Sequence, residues 1–393
     1  MIKAKDIFKK YQAQTFPNPS CVEIKSAKGS YIKDIYGKKY LDFTAGVSAC
    51  TLGHSNPVVV TAIKKQLKKY THVMVYGEYI QSPQYKLAKL LADNLPKNLN
   101  TTYFTNSGTE AIEGAMKLAK RATGKSEIIT CKGSYHGSTQ GSLSIMGNEN
   151  YKSKYRPLLP NCNHINFNDI KSIERITHNT AAVIIEPIQG ATGFITPKNN
   201  FLLKVRNKCI ETKTLLIFDE IQTCYGRLGT LFGFENYKII PDILCLAKGM
   251  GSGMPIGAFI SSKELMNLFT FNPPLGHITT FGGHPINCAA SLACLNHLIS
   301  TDIMVQINNK EKLFRKHLIH SKIKEIRGKG LMLSIEFNDD KLAKKIVDES
   351  LQEGLVLFYF LFTKTAIRIT PPLTISEKEI IIGCEIIKKI LDK

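Results

Sequence analysis

Between residues 56 and 295 the chain alternates two hydrophobic patterns. Short, largely apolar runs at 102–105, 127–130, 182–185, 215–218, 243–246 and 257–260 predict strands, several of them covered on both faces of a sheet. Between them, apolar residues recur every three or four positions, the period of helices lying on such a sheet. Residues 110–121 carry this pattern, with Glu113 four positions before Lys117 as a helical ion pair. Residues 286–299 predict another helix. The alternation predicts an α/β fold: a mostly parallel central sheet flanked by helices.

The two ends of the chain read differently. Residues 1–45 predict a helix and then short strands, with apolar alternation over 29–42 folding back at Gly37-Lys38 as a hairpin. From 296 onward the order is helix, strand (331–337), helix, strand, helix. These segments predict a smaller α+β domain spanning 296–393, which residues 1–55 join, beside a large domain of residues 56–295.

Composition narrows the field. The chain has 393 residues, 43% of them hydrophobic, enough for a large core. Its net charge of +20 raises nucleic acid as a partner. The lysines, however, are spread along the chain, as in Lys64-Lys65, Lys68-Lys69, Lys344-Lys345 and Lys388-Lys389, on the polar side of helical patterns. They predict solvated helix faces and no specific nucleic-acid site. No apolar run is long enough to span a bilayer, and the first residues show no apolar segment of signal-peptide type. Ten scattered cysteines without a CxxC pair or a zinc pattern predict reduced thiols, no metal and a cytoplasmic location.

The candidate chemistry sits at strand ends. Lys248 follows the run 243–246 and opens a glycine-rich turn; Asp219 follows the run 214–218. A lysine that condenses with an aldehyde and an acid that holds a protonated ring nitrogen are what pyridoxal phosphate requires. Gln222 stands where it can reach the ring's phenolic oxygen. Ser107, Gly108 and Thr109 precede the helix 110–121, whose free N–H groups and positive dipole end suit a phosphate. Tyr135 follows the run 127–130 and offers a ring to stack on a flat cofactor. Thr279 and Thr280 lie in a hydroxyl- and glycine-rich stretch before the helix 286–299. Arg368, between Ile367 and Ile369, needs an anion if buried and suits a substrate carboxylate. Taken singly, each has a plainer reading: an N-cap, a structural turn, a surface amide, a core tyrosine or an internal ion pair.

Taken in order, the pieces resemble one family. They are Leu41-Asp-Phe-Thr-Ala-Gly-Val47, Thr105-Asn-Ser-Gly-Thr-Glu110, Tyr135-His-Gly137, Glu186-Pro-Ile-Gln-Gly190, Asp219-Glu-Ile-Gln222, Gly226-Arg-Leu-Gly229, Leu246-Ala-Lys-Gly249, Thr279-Thr-Phe-Gly-Gly283 and Arg368. The chain resembles the class III (ω-amino-acid) aminotransferases of the fold-type I pyridoxal phosphate enzymes, and within them the acetylornithine, succinylornithine and succinyldiaminopimelate aminotransferases.

The resemblance implies a cytoplasmic homodimer with shared sites. It implies amino transfer from an acylated diamino acid to a 2-oxo acid, 2-oxoglutarate, by a ping-pong route in arginine or lysine biosynthesis. Lys248 is then the catalytic lysine and proton shuttle and Asp219 the ring-nitrogen acid. Gly108 and Thr109 bind the phosphate, Tyr135 stacks, and Gln222 lies by the phenolic oxygen. Thr280 reaches the partner's cofactor phosphate, Thr279 lies near substrate, and Arg368 takes a carboxylate. Two positions depart from the family pattern. Ser138 stands where acetylornithine-type relatives carry a second arginine, and Ala191 where many carry an acid that covers the Arg368-type arginine. These departures leave open another amine and oxo-acid pair, or an aminomutase.

Overall fold

Seven strands form the central sheet of the computed structural model, which describes residues 4–393. Three strands precede it: β1 (Ile24–Lys28), β2 (Tyr31–Asp34) and β3 (Lys39–Asp42). The sheet itself contains β4 (Thr101–Thr105), β5 (Glu127–Cys131), β6 (Cys162–Ile165), β7 (Thr180–Ile185), β8 (Leu215–Asp219), β9 (Ile243–Leu246) and β10 (Gly257–Ser261), in the order β4-β10-β9-β8-β7-β5-β6. From β9 to β6 every pairing is parallel, and β10 runs antiparallel to both β9 and β4. The sheet is therefore mostly parallel, as the apolar runs predicted. β7 and β9 are buried at every position, which explains why they read as unbroken apolar runs.

Parallel strands share one carboxyl edge. The segments leaving β5, β7, β8 and β9 emerge together there, bringing residues 134–137, Glu186, Asp219 and Lys248 to one place. On a face of the sheet lies helix Gly108–Thr123, capped by Ser107, whose Oγ accepts from Glu110 N, and stopped by left-handed Gly124. Gly114 lets this helix press on the sheet: a Cβ there would sit 2.2 Å from Phe259 Cε1. The expected Glu113–Lys117 ion pair does not form. Glu113 instead accepts from Thr139 Oγ1 (2.5 Å) and Ser142 N (2.9 Å), and Lys117 Nζ lies 3.0 Å from His277 Nδ1. Tertiary donors outcompete an exposed helical pair worth only about 0.2–0.5 kcal/mol.

The C-terminal region builds an antiparallel sheet from β11 (Glu325–Lys329), β12 (Met332–Glu336), β14 (Phe358–Tyr359) and β15 (Ala366–Ile369). The predicted strand at 331–337 proves to be the second arm of a hairpin with β11. Between β12 and β14 in the chain, β13 (Leu355–Val356) leaves this sheet and pairs in parallel with β3. The hairpin read at 29–42 is thus the later half of a β1-β2-β3 meander, with Gly37 at φ 92° in its turn. The contact continues beyond β13: Thr370 donates from N to Phe43 O (2.7 Å) and from Oγ1 to Thr44 O (3.0 Å). Helix Glu377–Asp392 closes over Phe43, whose ring occupies the space a Cβ at Gly383 would need. No single described helix is long and apolar enough to cross a membrane.

At the end of β3, buried Asp42 organises the next turn. Its Oδ1 accepts from Thr44 N, Thr44 Oγ1 and Ala45 N, and its Oδ2 pairs with His54 Nε2 at 2.8 Å. The hydrogen bond His54 donates to Asp42, with help from Cys50, raises the His54 pKa to about 10. A raised histidine pKa stabilises the fold fully below its ordinary value of 6.5, and that contribution is lost as pH rises through about 10. Melting temperatures measured from pH 6 to pH 10 should therefore fall, and His54→Gln should flatten that fall by lowering the acid-side values. A variant curve parallel to the wild type would show that the pair adds nothing.

Candidate active site

A cavity of about 860 Å³ opens at the carboxyl edge of the sheet. Its floor is made by strand ends. Lys248 lies two residues past β9, at the start of a short 3-10 turn, and takes a left-handed φ of 45° there. Its side chain reaches into the cavity from a half-buried position. Burial lowers its pKa; Asp219 and Glu186 oppose that effect and Arg368 adds to it.

Asp219 ends β8 and is almost fully buried. One oxygen, Oδ1, accepts from Ile221 N (3.0 Å). The other, Oδ2, accepts from Nδ1 of His136 at 2.7 Å. Burial works against a charged His136, but the hydrogen bond and charge of Asp219 outweigh it and raise the histidine pKa. The outcome is a buried Asp219–His136 hydrogen bond with one face turned to the cavity. Beside it, burial raises Glu186 to about 7; its Oε1 accepts from Gly190 N (3.1 Å) and its Oε2 has no partner among the described residues.

The walls hold the remaining candidates. Ser107, Gly108 and Thr109 face the cavity at the N-terminus of helix Gly108–Thr123. The Ser107 oxygen is occupied as an N-cap acceptor, which leaves its hydroxyl proton to donate. The Thr109 hydroxyl is bonded to Thr139 Oγ1 (2.7 Å) and Ser142 Oγ (2.6 Å). Tyr135, half-buried, bonds through its hydroxyl to Ser138 Oγ (3.0 Å). Gln222 faces the cavity and donates from Nε2 to Ser48 Oγ (3.2 Å). Arg368 enters from β15, across the cavity, and is 6% exposed. Its Nε donates to Tyr359 O (2.9 Å), its guanidinium lies 4.8 Å over the Phe360 ring, and burial lowers its pKa to about 10. No described acid is paired with it, so the internal ion pair considered for it is absent.

Thr279 and Thr280 are not brought into this cavity. Thr279 accepts from Asn106 Nδ2 (3.0 Å) and lines a neighbouring cavity of about 740 Å³, and Thr280 is exposed. Sequence alone gives no role to two residues of the cavity. His136 stands beside Tyr135 without a signal of its own, and Glu186 carries only a motif. Glu186 has a readable signal all the same, since it is an acid directly after the wholly apolar end of β7. The pairing of His136 joins positions 83 residues apart and has no local signal.

The donor set fits pyridoxal phosphate. It comprises one amine, one carboxylate hydrogen-bonded to a buried imidazole, an aromatic ring and a 16-residue helix whose N-terminus faces the space. The cavity falls within the roughly 300–1,000 Å³ usual for small-molecule sites.

Known proteins show the family and the fold. The Aminotransferase class-III family profile matches residues 11–391. The acetylornithine aminotransferase of Methanopyrus kandleri is 37% identical over 380 residues, covering 96% of each chain. That of Bacillus cereus is 38% identical over 377 residues, covering 94% of this chain and 95% of its own. Among solved structures, adenosylmethionine-8-amino-7-oxononanoate aminotransferase from Methanocaldococcus jannaschii superposes with a TM-score of 0.92 at 29% identity, covering 99% of this chain and 98% of its own. The strand order, the cavity and these likenesses converge: the chain belongs to the class III aminotransferases and is a pyridoxal phosphate-dependent transaminase.

Proposed function

We propose that this transaminase takes its amino group from an acylated diamino acid, N-acetylornithine or its succinyl analogues, and passes it to a 2-oxo acid by a ping-pong route in arginine or lysine biosynthesis. The observation that carries this reading is the meeting of Lys248, His136-backed Asp219 and unpaired Arg368 around one cavity. The relatives named acetylornithine aminotransferase support the donor.

Pyridoxal phosphate, when bound, supplies an aldehyde that takes up the donor nitrogen and a cationic ring that withdraws electrons. The rest falls to the chain. Lys248 Nζ is the base that accepts the proton from the donor carbon and returns it. Its lowered pKa enlarges the neutral fraction able to do so. Asp219 would meet the ring nitrogen, and His136, hydrogen-bonded to it, holds that carboxyl group in place. Gly108 and Thr109, with the N-terminal N–H groups of their helix and the Ser107 hydroxyl, hold the phosphate. Tyr135 covers the ring face, Gln222 serves the phenolic oxygen, and Arg368 orients a substrate carboxylate.

The same reading makes the enzyme a cytoplasmic homodimer in which Thr280 serves the partner's cofactor phosphate and Thr279 lies near its substrate. The position of both threonines outside this chain's cavity supports that, as do exposed apolar residues nearby, including Ile80 (93% exposed) and Phe281 (53%). It also divides the chain into a large domain of residues 56–295, bearing Lys248, and a small one formed by 1–55 and 296–393, bearing Arg368. The β3–β13 pairing supports that division.

A second reading, another class III amine and oxo-acid pair or an aminomutase, is favoured by Ser138 and Ala191. Ala191 lines the cavity as a small apolar residue, and Ser138 is bonded to Tyr135.

Two measurements check these roles. Asp219→Ala should lower the turnover number by at least about a hundredfold, the scale of losing one fixed electrostatic partner. It should also weaken retention of the cofactor on dialysis; unchanged retention and rate would remove Asp219 from the site. For the donor, the visible absorbance of the bound cofactor is followed while N-acetylornithine, succinylornithine, ornithine, succinyldiaminopimelate, 4-aminobutyrate and glutamate are added singly. Bleaching by an acylated diamino acid, absent in Lys248→Ala, is expected. Bleaching by glutamate alone sinks the donor assignment, and turnover without any added oxo acid points to an aminomutase.

A further inference from the structure

The cavity contains the side chains of two strong bases, Lys248 and Arg368. Lys248 is taken by the cofactor, which leaves one guanidinium to meet an anionic substrate group. Arg368 is built for that. Its Nε is held by Tyr359 O, its plane lies over Phe360, and both terminal nitrogens are without a protein acceptor among the described residues. Such a fork binds one carboxylate through two parallel hydrogen bonds.

Among the described residues of this chain, no second unpaired cation lines the cavity. The other side-chain donors facing the cavity are neutral hydroxyls and amides or are already engaged: Gln222 with Ser48, Asn106 with Glu110 and Thr279, His136 through Nδ1 with Asp219, and Tyr135 with Ser138. The rest of the wall includes Val47, Ile188, Ala191, Met254, Phe358 and Leu361. A second full charge placed against these groups would lose water without gaining a counter-ion. Short apolar or uncharged side chains lose nothing there.

We propose that the oxo-acid partner of this chain is a 2-oxo monocarboxylate with a short uncharged side chain, of the pyruvate class, and not the 2-oxoglutarate that the family resemblance implies. This rests on the reading of Arg368 as the carboxylate anchor of an aminotransferase site.

The acceptor half-reaction tests it without any donor. The protein is freed of cofactor, reconstituted with pyridoxamine phosphate, and mixed with pyruvate, 2-oxobutyrate, oxaloacetate or 2-oxoglutarate, and single-turnover rates are followed against concentration. The two monocarboxylates are expected to exceed the two dicarboxylates in rate constant over apparent affinity by at least about tenfold, a modest share of the penalty for an unpaired buried charge. Ser138→Arg, which places a second cation at the cavity, should raise the ratio of 2-oxoglutarate to pyruvate by at least about tenfold. Wild-type protein that uses 2-oxoglutarate as well as or better than pyruvate overturns the proposal. An unchanged ratio in Ser138→Arg also counts against it, because something other than the missing cation then limits the dicarboxylate. A pyruvate preference combined with no bleaching by any acylated diamino acid upholds this inference and sinks the donor reading; the opposite pattern does the reverse.

Discussion

The buried pair of Asp219 and His136 is the constraint around which the site is organised. Leaving a carboxylate this deeply buried without a partner would cost several kcal/mol. His136 supplies that partner from a different strand's exit loop, 2.7 Å away. The bond ties the segment leaving β5 to the end of β8, across the intervening β7. It therefore fixes more than one charge: Tyr135 is the neighbouring residue, and its ring position depends on where His136 is held. Glu186, at the end of the strand between them, sits in the field of both and keeps a proton more readily as a result of its burial.

This arrangement depends on the sheet being parallel where it matters. Strands running the same way deliver their ends to one edge, so residues 134–137, Glu186, Asp219 and Lys248 converge although they span more than a hundred positions in sequence. The antiparallel β10 does not interrupt this, because it lies beyond β9 and contributes no catalytic end. It packs instead beneath helix Gly108–Thr123 through Phe259 and Gly114, holding that helix's N-terminus at the cavity wall.

The legible parts of the sequence obey the same physics. β7, β8 and β9 can be read directly because burial on both faces demands unbroken apolar runs. β6, with polar Asn163 and His164 at the sheet edge, carries no such pattern. Nor does β11, a partly exposed edge strand containing Gly328. Lys248 and Asp219 stand out because a charged residue directly after an apolar strand is unusual enough to notice. The Asp219–His136 bond and the redirection of Glu113 to Thr139 and Ser142 depend on contacts formed only after the chain has folded. The β3–β13 pairing belongs to the same class, since a two-residue strand leaves almost no periodicity to detect.

Arg368 shows where local reading and folded geometry meet. Its place between two isoleucines marks it as a buried charge in need of an anion, and the described residues offer none. Burial lowers its pKa, yet at about 10 it is still a cation at neutral pH. Holding a desolvated, unpaired guanidinium is a cost the fold bears in the free protein, partly offset by Tyr359 O and the face of Phe360. A substrate carboxylate removes that cost on arrival. Part of the binding energy is thus set aside in the free enzyme, and it is released only to a ligand that brings its negative charge to this one point. Among the described residues of this chain the cavity holds no second unpaired cation, so a second negative charge would find no such partner in it.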